Sequence, residues 1–281
     1  MNEFEEYLIL IVEEMFDQAI AEHTEVLKLY KKSQDNILEY LNSLFLKYGN
    51  DGLITYSDLY KDNRLQSIES FLQKELDNLH QNENTLVYAL LSALYAGTYY
   101  KNAYAFERAL GNKSRYNKLT AAFIATAIER NWSGVLFTQR IKNNHNSLLQ
   151  KILSDFSQSI RLGESMDKIK GKIDKQFGIR YNHSKSLSMT ESARVITESQ
   201  EKLFSDSGVV KKLGFTAVLD HRTTDFCRNH DGLVWSIDDP TRPELPAHLW
   251  CRSVWMPILK DYLTINSNAS FDMYDEWFEQ I

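Results

Sequence analysis

Proline is missing from the first 239 residues of this 281-residue chain: Pro240, Pro243, Pro246 and Pro257 all fall in the last 50. A proline inside a helix costs about 3 kcal/mol, so its absence permits long uninterrupted helices and sets them apart from a turn-rich end. Cysteine is scarce too, with only Cys227 and Cys251. Two thiols make no disulfide framework, and in a reducing compartment a pair this close in sequence raises the question of a metal. No long hydrophobic run occurs. The apolar segment from Tyr7 to Val12 is cut by Glu13 and Glu14, far short of the roughly 20 residues a bilayer span needs. Lysine and arginine are absent from positions 1–25, which hold eight acids, and from the segment after Thr264, which holds four. A secretory signal needs a basic start and a small-residue cleavage site, so none is expected and the chain reads as cytoplasmic at synthesis. The net charge of −6 argues against a protein that coats nucleic acid over its whole surface. There is no G-x-S-x-G, P-loop or H-E-x-x-H sequence, which removes the commonest hydrolase and nucleotide-binding signatures.

What is present is the composition of a folded protein, 43% hydrophobic and 25% charged, long enough for one or two domains. Phe4, Leu8, Ile11 and Met15 recur at helical spacing and predict a helix over about 3–32, with another following Ser33. Ser57 is a candidate cap for a helix reaching about His80. Leu86, Leu90, Ala93, Leu94 and Gly97 mark a small-residue face over Thr85 to Leu110. Leu148, Leu149, Ile152 and Phe156 mark a helix within Leu136 to Ile160. From Glu164 to Phe177, Met166, Ile169, Ile173 and Phe177 step by three and four, with Gly178 as the expected C-cap. Ser188-Met-Thr-Glu191 has the form of a capping box opening a further helix to about Phe204. A strand is expected at Phe215 to Leu219 and a second at Leu233 to Ser236, after an Asp231-Gly232 turn. The fold class is therefore mainly α: a long helical N-terminal and middle region, then a small α+β, turn-rich C-terminal module. The expected division is a helical region 1–130, a helical core 131–210 and the module 211–281.

Between Arg140 and Lys185 there are ten basic and four acidic residues. Arg161, Lys168, Lys170, Lys172, Lys175 and Arg180 are the candidate contacts to DNA or to an acidic partner surface, set against a solvated helix face with a biased count.

The residues with most chemical character lie between Leu219 and Pro257. Cys227, His230, His248 and Cys251, in a C-x2-H…H-x2-C arrangement, form a candidate set of four ligands for a structural zinc ion, which takes thiolate and imidazole tetrahedrally. Two alternatives stand beside it: buried cysteines with hydrogen-bonded or surface histidines, and a Cys227–Cys251 bond formed on oxidation. His221, Asp225, His230 and Asp231 could in principle support metal-assisted hydrolysis. However, Arg228-Asn229-His230 lacks the paired histidines of a His-Asn-His nuclease.

The string Asp220-x-Arg222-Thr223-x-x-x-Cys227-x-x-x-Asp231-Gly232, followed by Pro246-x-His248-x-x-Cys251-Arg252-Ser253, resembles the signature of the phage Mu F-like, or head-morphogenesis, family. Two upstream blocks resemble the family as well: Trp132 to Ile141, and Gly163 to Gly178 followed by Thr190-Glu191. The resemblance covers about residues 130–257. Residues 1–130 share only helical character. It departs from the family at Ser253, where members often carry a further Cys, and at His230, where an apolar residue is common. Both departures leave Cys227, His248 and Cys251 as the better-supported trio. The resemblance implies a structural role rather than an enzyme: a low-copy minor head component of a tailed bacteriophage, associated with the portal protein during procapsid assembly. It further implies scaffold or major capsid protein and packaged double-stranded DNA as partners, a role in packaging or ejection, and a place inside the virion head near the portal vertex after assembly in the host cytoplasm. A metal-dependent nuclease or toxin-like enzyme built on a similar module is the alternative.

Overall fold

The computed structural model describes residues 2–111, 116–259, 265–266 and 269–281. Long helices dominate: α1 (Glu3–Tyr48), α3 (Arg64–Leu110), α5 (Phe137–Arg161) and α6 (Met166–Ser207), with short α2 (Tyr56–Tyr60) and α4 (Ala121–Ile128) between them. A three-stranded antiparallel sheet follows, β1 (Lys212–Thr216), β2 (Val234–Ser236) and β3 (Val254–Ile258), in the order β2-β1-β3. Helix α7 (Asp225–His230) lies between β1 and β2 in sequence, and α8 (Tyr274–Phe278) closes the described chain. No helix among the described residues is long and apolar enough to cross a membrane.

The helices are longer than local signals predict. Ser33 lies buried in the middle of α1 and does not divide it. Gly178 does not end a helix; α6 runs 42 residues through it. A glycine in a helix interior costs about 1 kcal/mol relative to alanine. Burial of Ile173 and Phe177 before it and Ser184, Ser188 and Met189 after it outweighs that cost. The left-handed residue that ends α6 is Gly208, with φ +69°. Ser188 and Glu191 are therefore mid-helix residues, not a capping box. A capping box does form between Thr55 and Asp58, at the start of α2, two residues ahead of the expected cap. Between α5 and α6, Gly163 (φ +62°) and the Glu164 N–H donating 2.9 Å to the Ser159 carbonyl close a Schellman turn.

By contact, the chain forms two compact units, one of 1–21, 88–130 and 188–281, the other of 22–87 and 131–187. In the first, Phe4, Leu8, Ile11 and Met15 are all buried, as their spacing predicts. Phe106 of α3 meets Phe4 edge-on at 5.2 Å and Phe204 of α6 at 5.8 Å, so one aromatic line joins three helices. Gly97 gives α1 room: a Cβ there would stand 3.3 Å from the Met15 sulfur. Ala93 is exposed, and the buried face of this stretch runs through Leu90, Leu91, Leu94 and Tyr95. Arg194 is fully buried in α6. It donates to Glu191 at 2.8 Å, to Glu198 at 3.0 Å, and to the Ala127 and Ile128 carbonyls at 2.9 and 3.0 Å. One guanidinium thereby pairs with two acids, the second of which Arg130 also binds, and satisfies carbonyls at the end of α4.

The second unit packs apolar stripes of α1, α3, α5 and α6 around a buried polar network. The Glu83 carboxylate accepts from the Ser184 hydroxyl and lies 2.5 Å from His145 Nε2. His145 is 3.2 Å from the Tyr30 hydroxyl, to which Asn144 donates at 3.1 Å. Burial, with Glu83 next in weight, pushes the Tyr30 hydroxyl pKa well above its usual value.

Candidate metal centre and basic helix

The sheet positions the site. Phe215 on β1 and Trp255 on β3 are cross-strand partners, packed edge-to-face at 5.4 Å. Arg242, which makes two bonds to Glu201 of α6 at 2.7 and 3.1 Å, lies 4.9 Å above the Trp255 ring. This fastens the proline-rich loop, and therefore the segment leading to His248 and Cys251, onto α6.

Cys227 sits in α7, whose N-cap Thr224 accepts from the Cys227 N–H at 3.4 Å. Cys251 follows a turn closed by its own N–H on the His248 carbonyl at 3.2 Å. These two turns bring Cys227 Sγ within 3.2 Å of His248 Nε2 and 3.9 Å of Cys251 Sγ. The three donor atoms lie within 4.8 Å of one another, a cluster able to hold a metal ion. Its supports suit that use. His248 Nδ1 is 2.8 Å from the Leu249 carbonyl, so Nδ1 carries the proton and Nε2 presents its lone pair to the sulfur. Burial raises the Cys251 thiol pKa, opposed by backbone N–H groups of Ser253 and Ala247 directed at the sulfur; these are bonds that favour the thiolate.

His230 is not in the cluster. Its Nδ1 is 2.7 Å from the Phe226 carbonyl, and its ring stacks on Phe226 at 4.0 Å, with Trp235 on parallel planes at 6.0 Å. The i, i+4 spacing of Phe226 and His230 on α7 explains the first contact. His221 and Asp225 are exposed.

The remaining motif residues brace the two turns. Asp220 accepts from Arg252 at 2.6 Å and from the Arg222 N–H at 2.8 Å. That pair links the chain just before Cys227 to the chain just after Cys251, and the Arg252 bond, with the Arg222 amide next, holds the Asp220 pKa far below the usual carboxylate range. The Thr223 hydroxyl donates to the Val218 carbonyl at 2.5 Å and accepts from the Asp220 N–H at 2.8 Å. Asp231 accepts from the Ala217 N–H at 2.9 Å, and Gly232, at φ +79°, donates to the Phe215 carbonyl at 2.9 Å. Pro246 follows a cis peptide bond and is buried. The bracing partners of the site, Thr224, Leu249 and the Asp220–Arg252 pair, were not assigned roles from sequence. Only the opposite charges in separate motif blocks hinted at the last.

Cys227 and His248 open on a cavity of about 460 Å³ that Arg222, Thr223, Thr224 and Arg252 also line. A neighbouring cavity of about 600 Å³ shares Arg222 and Arg252 and is walled by Ile9, Val12 and Phe16 of α1 and by Cys251.

The basic residues lie elsewhere. Arg161, Lys168, Lys170 and Lys175 are exposed, whereas Lys172 and Arg180 are half-buried. Lys172 bonds Glu164 at 2.6 Å and Ser159 at 2.9 Å, and the Arg161 guanidinium lies 5.4 Å from the Tyr56 ring centroid. At 3.6 residues per turn, Lys168, Lys172 and Lys175 share an arc of about 60°, with Lys170 on the far side of the buried Ile169–Ile173–Phe177 stripe.

The Cys2His cluster, able to hold a metal ion, is braced by the Asp220–Arg252 pair. The family described as Phage Mu protein F like protein matches residues 150–256, so over that stretch the chain is similar to the Mu F-like family. Among curated proteins it is similar to the minor head protein GP7 of Bacillus phage SPP1, 22% identical over 216 residues that cover 75% of this chain and 70% of that protein. No solved structure matches.

Proposed function

We propose that this chain is a minor head protein that acts in head morphogenesis, associating with the portal during procapsid assembly and residing in the head interior near the portal vertex. The observation that carries this reading is the family match over residues 150–256, which spans the basic helix and the Cys2His module together. Likeness to a protein named as a minor head protein supports it. With it we propose the functional division 1–130, 131–210 and 211–281, contact with scaffold or major capsid protein, and contact of packaged DNA with the exposed lysines of α6. A metal-dependent nuclease gains no support. Co-expression with the cognate portal tests the reading: the chain should co-purify with portal oligomers, and its absence from them would overturn it.

In the same reading Cys227, His248 and Cys251 hold a structural zinc ion. Zn–S and Zn–N bonds of about 2.3 and 2.0 Å at tetrahedral angles place donors roughly 3.5–3.8 Å apart. The 3.9 Å and 3.2 Å separations lie within a few tenths of an ångström of that. When bound, the ion would tie α7 to the turn before β3, and the chain's own residues would supply two thiolates and one imidazole.

A further inference from the structure

We propose that the Cys227–His248–Cys251 centre is an open one, whose fourth position receives a carboxylate from outside the chain. The proposal rests on the zinc reading above. Structural zinc is almost always four-coordinate and tetrahedral, so a structural ion with three ligands from its own chain needs a fourth donor from elsewhere. Among the described residues no fourth His, Cys, Asp or Glu donor joins the cluster. The nearby candidates are held by other bonds: His230 on the Phe226 carbonyl, Asp220 on Arg252, Asp231 on the Ala217 N–H.

Two of the three ligands, Cys227 and His248, face the cavity of about 460 Å³, so an external group can reach the centre. The cavity wall has guanidinium and hydroxyl groups from Arg222, Arg252, Thr223 and Thr224 and no carboxylate, which selects an anion. Two thiolates and a neutral imidazole already balance a divalent ion, so the guanidiniums supply the attraction. Arg222 is free to turn toward a ligand: its side chain is 60% exposed and it reaches Asp220 with its guanidinium only at 3.4 Å. A planar carboxylate matches its fork. The lip is apolar, with Leu249 and Trp250 exposed, and the two guanidiniums share one Asp220. That combination suits an acidic side chain on an apolar protein segment better than a phosphodiester backbone, which calls for several unshared cations.

The test uses the full chain loaded with cobalt(II), read by visible absorption. Thiolate-to-cobalt charge-transfer bands report the metal reading alone; their absence sinks that reading and this inference with it. If they are present, acetate, an acetylated Leu-Asp-Leu amide and inorganic phosphate are titrated separately. The cobalt d–d bands should shift and saturate with both carboxylates, and with the peptide at the lower concentration if the source is a protein segment. Arg222→Ala should raise the half-saturating concentration about tenfold, as loss of a bidentate charged pair implies, while leaving the charge-transfer bands in place. Bands that ignore carboxylate, or that respond to phosphate at lower concentration than to either carboxylate, overturn the proposal.

Discussion

Replacing Arg194 with methionine perturbs the most heavily bonded buried charge described in the fold. The side chain has no exposed surface, and Glu191, its partner at 2.8 Å, is 2% exposed. Methionine fills similar volume, so the change removes charge and hydrogen bonds while opening little cavity. Breaking a buried ion pair from one side destabilises by about 3–5 kcal/mol, because the remaining charge stays in a poorly solvating place. The Ala127 and Ile128 carbonyls each lose a donor as well, at about 1 kcal/mol apiece. Glu198 is affected less, since it keeps Arg130. A loss of about 5–7 kcal/mol corresponds to a fall in Tm on the order of 15–20 °C for a unit of this size. Differential scanning calorimetry on Arg194→Met and on Glu191→Gln/Arg194→Met checks the reasoning. The double variant should recover at least about 1 kcal/mol of the loss, since it removes the stranded carboxylate. A single variant within about 1 kcal/mol of the parent, or a double variant no better than the single, would refute this account of Arg194.

Other perturbations read other parts of the molecule. Asp220→Asn should lower zinc affinity by about tenfold or more, as loss of an outer support does, with the far-UV spectrum unchanged; unaltered affinity in a chelator competition would remove Asp220 from the site's support. Because the Asp220 pKa is depressed in the folded chain, its stabilisation is present above about pH 4 and fades as pH falls further. His23 is buried beside Tyr181 at 5.3 Å and, chiefly through burial, has its pKa lowered to about 4. The unfolded chain then binds the extra proton between about pH 6.5 and 4, so this group makes stability fall as pH drops through that window, by up to about 1.4 kcal/mol per pH unit. His23→Phe should flatten the profile there, and parallel profiles for the two proteins would contradict the argument. Neutralising the exposed Lys168 and Lys175, which share one face, to glutamine should lessen the salt dependence of DNA binding by up to about two counterions. An unchanged slope would move DNA contact off this helix.

Much of the site was legible in the sequence because ligand chemistry is local in type. Cys227, His248 and Cys251 carry donors that few other residues offer, and their turns bring them together. His230 shares the donor chemistry but not the geometry, since a helix puts it over Phe226, four residues back, instead of over the sulfurs. The apolar face of early α1 was legible for the same reason of spacing. Helix length was not. Ser33, Gly178 and the Ser188–Glu191 pair are strong local punctuation, yet each lies inside a continuous helix. Burial on both sides of these positions decides the outcome, and the partners that provide it, such as Arg194 to Ala127 across 67 positions, are distant in sequence. The Asp220–Arg252 brace was hidden likewise: each residue was visible, but not their meeting across 32 positions.

Quantitative mass spectrometry of purified virions and procapsids tests the central claim most directly. A head-morphogenesis protein predicts peptides from across this chain in both particles, at a few copies for each portal ring and far below the major capsid protein. Its absence from both, with the chain abundant in the infected lysate, would contradict the account.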